Sequence, residues 1–195
     1  MSIVFGICCW IPEKSQLPEL KRCLESVKNY PVFLINGKWY DIEGDYPTSI
    51  PEAVSLIDSY PNVTRINYAN HHEWESRNMY LEQCTANDCL IILDTDEYIE
   101  ITGFFECNIL DTPMFRLHVE DPRIGGTDYQ KRGVRWPHLT RHRDRHNQLW
   151  YKDKEIWSNV GESTPEGIII YHDKTYRSEK IKEAMKKRNY LRPFR

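Results

Sequence analysis

The stretch CLIILDTDEYIE, residues 89 to 100, constrains this chain more than any other. Its apolar half runs without polar alternation, the pattern of a strand buried on both faces of a parallel sheet. Three acids, Asp94, Asp96 and Glu97, follow at once. In an open parallel sheet ligands bind beyond the carboxyl ends of the strands, so chemistry is expected here. Residues two apart on an extended chain project to one side, so the Asp94 and Asp96 carboxylates can converge on one object. Oxygen donors suit a hard divalent cation, Mg²⁺ or Mn²⁺, and a cation removes the repulsion between two close carboxylates. The competing reading is a solvated turn with helix-capping acids.

The rest of the chain supplies a frame for that strand. IVFGICCW, YPVFLIN and VTRINYA are three further apolar runs of strand length, the second ended by the turn pair Asn36-Gly37. SQLPELKRCLESVKN places Leu17, Leu20, Leu24 and Val27 at helical spacing. Ser49 and Glu52 form a capping-box pattern around Pro51 that opens a helix through Tyr60, and His71 to about Cys84 reads as another. Strands alternating with helices predict an α/β fold whose parallel sheet is covered on both faces. After Asp96, PMFRLHVE, VRWPHLTR, QLWYKDKEIW and GIIIYH predict shorter strands of a mixed sheet, with a closing helix from Ser178 to about Leu191. A chain of 195 residues is expected to be a single domain. A nucleotide-binding half over residues 1–100 is expected, followed by an elaborated second half over 101–195 in the same domain.

Charge and composition exclude several classes. A net charge of -3 argues against a dedicated nucleic-acid binder. From Arg177 to Arg195, however, eight basic residues face only Glu179 and Glu183, a basic arm that either contacts phosphate or an anionic membrane peripherally or is a solvated helix face. MSIVFGICCWIPE lacks the pattern of a signal peptide, and no apolar run reaches membrane-span length, so a cytoplasmic protein is expected. The six cysteines include no CxxC pair and sit mostly in apolar runs, which predicts buried thiols without disulfides. No GxxxxGK[ST] phosphate loop is present, and HHEWES has Ser76 where a zinc-protease helix needs its second His. A phosphatase with an Asp nucleophile would carry its DxD on the first strand.

ESRNMYLEQCTANDCLIILDTDEYI, residues 75 to 99, resembles the family 2 type of GT-A glycosyltransferases, in which an Arg-Asn pair leads to a strand ending LD-x-D-E. The likeness is specific over this run and looser from Ile3 to Tyr190, and it extends to very compact members from phages and archaeal viruses. It implies a single GT-A domain with a Rossmann-like nucleotide-binding half. It further implies metal-dependent transfer of a sugar from a nucleoside diphosphate, UDP foremost, to a hydroxyl of a glycan, lipid or protein, with inversion.

The same resemblance assigns roles. Asp96 and His172 would ligate Mn²⁺ or Mg²⁺, with Asp94 either joining them or touching the ribose; the alternative for His172 is a structural role. Arg77 would pair with the diphosphate, or else bridge to Glu73 or a neighbouring acid. Trp10, Ile11, Pro12 and Glu13 would hold the base. Asn36 stands where family members often carry an Asp for that purpose, with Asp41 and Asp45 further on. The catalytic base would be Glu162 in SNVGES, with Asp144 in RHRDRHN as the alternative and Glu120-Asp121 as a third. By their spacing alone, His138, His142 and His146 would align on a helix as metal ligands, which Pro137 disfavours; the alternatives are a cationic rim that contacts the acceptor or a phosphate, and plain solvated charge. Two rival functions stay open: a non-catalytic nucleotide or nucleic-acid binder, and a nucleotidyltransferase. GICCWIPEKS disfavours the latter, having no Gly-rich loop.

Overall fold

The computed structural model describes residues 2–39, 48–103, 113–121, 126–143, 148–152, 154–155, 167–172 and 183. The four apolar runs become β1 (Ser2–Cys9), β2 (Val32–Asn36), β3 (Val63–Asn67) and β4 (Asp88–Asp94). Between them lie α1 (Leu17–Ser26), α2 (Pro51–Asp58) and α3 (Glu73–Gln83). The second half adds β5 (Glu97–Ile101), β6 (Met114–Asp121), β7 (Gly126–Val134), β8 (Thr140–Arg143), β9 (Gln148–Tyr151), β10 (Lys154–Glu155) and β11 (Ile168–His172).

Eight strands form one sheet in the order β3-β2-β1-β4-β7-β6-β11-β5, and β10-β9-β8 form a second, smaller sheet. β3, β2, β1 and β4 run parallel, as do β6 and β11. β7 opposes both β4 and β6, and β5 opposes β11. The fold is therefore α/β with a mixed, mainly parallel central sheet. Alternation along the strands divides the interior in two. Phe5, Ile7, Leu34, Ile91 and Leu93 point to the α1–α2 side, where Leu20, Leu24 and Ile57 meet them. Val4, Cys8, Ile35, Leu90 and Ile92 point to the other side, where Tyr80 and Leu81 of α3 and Leu149 of β9 close over them.

Four expectations are corrected. The Ser49–Glu52 capping box does not form: Ile50 is the residue before the helix, and Ser49 Oγ instead accepts the Ile11 N–H at 3.0 Å. That bond ties α2 to the end of β1, and a buried amide satisfied there outweighs a helix cap at the surface. VRWPHLTR is not one strand. Pro137 has no N–H to give to a ladder, so β7 ends at Val134, a 3₁₀ turn spans Pro137–Leu139, and β8 starts after it. β5 and most of β7 were unforeseen, because their charged residues lack the apolar run that marks a buried strand. Cys89, fully buried in β4, is disulfide-bonded, whereas Cys8, Cys9, Cys23 and Cys84 are free thiols. Spacing in sequence says nothing of which cysteines meet in space. The predicted closing helix lies outside the described residues, Glu183 excepted.

Candidate functional site

The chain passes from β1 outward through β2 to β3, then returns by α3 to place β4 on the opposite flank of β1. Successive connections thus leave in opposite directions at the β1/β4 seam, the kind of switch point at which an open α/β sheet forms its ligand crevice. Cys8 pairs in register with Asp94, so the acidic turn Asp94–Glu97 sits at the mouth of this crevice. β2 ends beside it, where Gly37 lies so close to Tyr68 that a Cβ would fall 2.4 Å from the Tyr68 carbonyl oxygen.

Asp94 is gripped by two arginines. Its Oδ1 accepts from Arg77 at 3.1 Å, and its Oδ2 accepts from both terminal nitrogens of Arg132 at 3.3 and 3.4 Å. Arg77 also binds Glu73 one turn earlier on α3, through Nε at 3.2 Å and a terminal nitrogen at 2.9 Å. Arg132 binds Glu97 at 2.5 Å, and the other Glu97 oxygen accepts the Asp94 backbone N–H at 2.8 Å. Burial alone would raise the Asp94 carboxyl, but the Arg132 and Arg77 guanidiniums overcome it and hold it well below the usual carboxylate range. Glu97 moves the other way. Burial first, then the Asp94 charge, push it from 4.5 up to about 8, against the pull of Arg132. Three carboxylates and two guanidiniums share this cluster, and one proton on Glu97 balances them.

The geometry bears on two roles for which alternatives were open. Both Asp94 oxygens face guanidiniums, whose positive charge disfavours a cation at the same atoms, so Asp94 is not placed as a metal ligand. The side chain of Arg77 is only 11% exposed and engages two carboxylates, Glu73 and Asp94, which is the bridge given as the alternative to a diphosphate contact.

Asp96 behaves differently. Its Oδ2 lies 3.9 Å from His172 Nε2, and both side chains are 9% exposed. This separation is too long for a hydrogen bond, yet within the span of two donors that each bind one ion at roughly 2.0–2.2 Å. One carboxylate with one imidazole favours Mn²⁺ over Mg²⁺, which takes oxygen almost exclusively. The described residues hold no group of three or more His, Cys, Asp or Glu able to bind a metal, so water or donor phosphate would complete the shell.

Strand register brings a further acid to this pair. β6 and β11 run parallel with Glu120 beside Tyr171, so the next residues, Asp121 and His172, end the two strands side by side. Asp121 shares the inward face of Val119 and is 5% exposed. Glu162, Asp144, Asp41, Asp45 and His146 lie outside the described residues. His138 sits in the 3₁₀ turn and His142 faces inward from β8, so they do not share a helix face.

On the nucleotide side Trp10 and Pro12 are buried and Glu13 is half-buried. The Trp10 ring meets that of Trp39, centroids 6.3 Å apart, which leaves little of its face for a base. Asn36 is better placed. Asn67 Oδ1 already accepts from Arg65 at 2.6 Å, so the Asn36 amide must turn its nitrogen to Asn67, at 3.2 Å. This leaves Asn36 Oδ1 as a buried acceptor with no partner at the end of β2.

Arg132 is the site residue that sequence reasoning missed. Phe115 pairs with Gly133 and Arg116 with Lys131, so Arg132 is the extra residue of a β-bulge, which re-aims its side chain toward β4. Gly133 permits it: a Cβ there would stand 2.0 Å from the Phe115 ring. The only trace in sequence is a glycine inside a charged strand. The chain matches no protein-family model and no curated protein.

Proposed function

We propose that the chain is a metal-dependent GT-A glycosyltransferase that moves a sugar from a nucleoside-diphosphate donor, UDP foremost, to a hydroxyl acceptor. The observation that carries this reading is the Asp94-x-Asp96 turn at the β1/β4 switch point, with Asp96 directed at His172. The mixed, mainly parallel sheet accords with the GT-A resemblance of residues 75 to 99.

Each residue then has a physical task. Asp96 and His172 would hold Mn²⁺, which when bound supplies Lewis-acid stabilisation of the departing diphosphate. Asp94, ionised by Arg77 and Arg132 and with its side chain 35% exposed, offers an acceptor to the ribose hydroxyls. Asn36 Oδ1 can take an N–H from the base, a bond that also satisfies an otherwise orphaned acceptor. Asp121, buried at the end of β6 alongside the His172 end of β11, is the base we assign to deprotonate the acceptor hydroxyl. Inversion follows if that hydroxyl attacks opposite the diphosphate. A nucleotidyltransferase would use the same acids, but its phosphate-cradling glycines are absent from the loop after β1.

Thermal denaturation with UDP and Mn²⁺ tests the reading. A ligand at a hundred times its Kd adds about 2.7 kcal/mol of stability. The wild-type chain should shift with UDP only when Mn²⁺ is present, and Asp96→Asn should fold yet lose that shift. A screen of nucleotide sugars should release nucleoside diphosphate, and release of pyrophosphate would point to nucleotidyl transfer. Absence of any metal-dependent shift across UDP, GDP, CDP, ADP and TDP sinks the proposal.

A further inference from the structure

The basic charge of this chain is segregated. Residues 135–155, the stretch of sequence that contains β8, β9 and β10, carry six basic and three acidic side chains. Residues 177–195 carry eight and two, so the remainder holds a net charge of -12. The first of these segments has a defined face. Antiparallel register sets Arg141 opposite Trp150 and Thr140 opposite Tyr151. Thr140 and His142 are buried toward α3, so Arg141, Arg143 and Trp150 project from the other side of the sheet. Arg141 and Arg143 are exposed, and Trp150 is half-buried under the Arg143 guanidinium, 4.7 Å from its ring centroid. At the end of the sheet Lys152, also exposed, donates its N–H to the Leu139 carbonyl at 3.3 Å. Leu139 is the exposed large hydrophobic among the described residues, at 38%.

We infer that this outer face of β8 and β9 docks on an anionic phospholipid surface. These side chains stand on the outer face of a sheet, whereas a soluble nucleotide or sugar is held in a concave pocket. The residue types are those that settle at a lipid–water boundary. Exposed arginines offer charge to the headgroups, the Arg143 guanidinium packs on the Trp150 ring, and the exposed Leu139 can enter the acyl boundary. The strongly negative remainder of the chain would be repelled by the same surface, so the contact orients the protein with this sheet downward.

Co-sedimentation of the full chain with vesicles tests the assignment. Vesicles of 70% phosphatidylcholine and 30% phosphatidylglycerol should bind the wild type at low salt, and pure phosphatidylcholine should not. Each basic side chain near such a surface contributes about fivefold in affinity. Arg141→Gln with Arg143→Gln should therefore weaken binding by roughly 25-fold, with an unchanged circular dichroism spectrum. Leu139→Ser should weaken binding at 0.5 M salt, where screening leaves the apolar part. Lys186→Gln with Lys187→Gln removes the same charge from the C-terminal segment. An equal loss from that pair, equal binding to both vesicle types, or loss of single-stranded DNA binding without any vesicle binding would overturn the inference.

Discussion

Arg132 is where a single atom group settles the most. It pairs with Asp94 and Glu97 together, and its side chain is 13% exposed. Arg132→Met keeps the volume and removes the charge, leaving the buried Glu97 and the partly exposed Asp94 short of one partner. Breaking a buried pair from one side costs about 3–5 kcal/mol, so urea denaturation should show a loss of that size. Glu97→Gln in the same background should recover part of it. Glu97 also sets a pH dependence. Its folded value of about 8 lies above its ordinary 4.5, so across that window the native state holds a proton that the unfolded chain releases. Stability must then fall as pH rises from about 5 to 8, by linkage. Asp94 acts in the opposite sense, because its depressed value adds stability that disappears only below about pH 4. Urea midpoints measured from pH 5 to 8 should decline for the wild type and stay level for Glu97→Gln.

Among the elements, α3 joins two parts of the molecule. Asn78 receives the His142 N–H at 2.7 Å and donates to the His142 carbonyl at 2.9 Å, clamping β8 by a strand-like pair of bonds from one side chain. The neighbouring Arg77 reaches the opposite way to Asp94. The Arg-Asn pair was legible in sequence as a motif, but its division of labour was not, since it depends on β8 arriving from 64 residues away. Asn78→Ala leaves two backbone groups unpaired at about 1–3 kcal/mol each. Its amide hydrogens in β8 and β9 should exchange faster while those of β1 hold. The same contrast explains which elements could be foreseen. β1, β2 and β4 are buried on both faces, so composition alone marks them. β5 and β7 owe their place to neighbours: β7 is hydrogen-bonded to β4 and β6 and carries the bulge, and no periodicity in GTDYQKRGV announces it.

For the molecule as a whole, the site was legible as far as the first half reaches and less so beyond. Asp94, Asp96 and Asn36 stand at strand ends that the apolar runs fix directly. His172 and Asp121 end neighbouring strands only because β11 inserts between β6 and β5, an order that sequence proximity does not suggest. No helix among the described residues is long and apolar enough to cross a membrane.

The two sides of the central sheet are unequal. Among the described residues the α1–α2 side buries 21 hydrophobic side chains in one cluster, and the α3 side buries nine. Local opening follows the thinner layer, so α3 and the small sheet should lift as one cooperative unit before the remainder unfolds. A native-state exchange ladder in rising denaturant should resolve this sub-global step, with α1 and β1 surviving to the last rung. The crevice would then be built on one wall that holds still and another that breathes, and the arginine grip on the acidic turn would loosen each time the second wall moved.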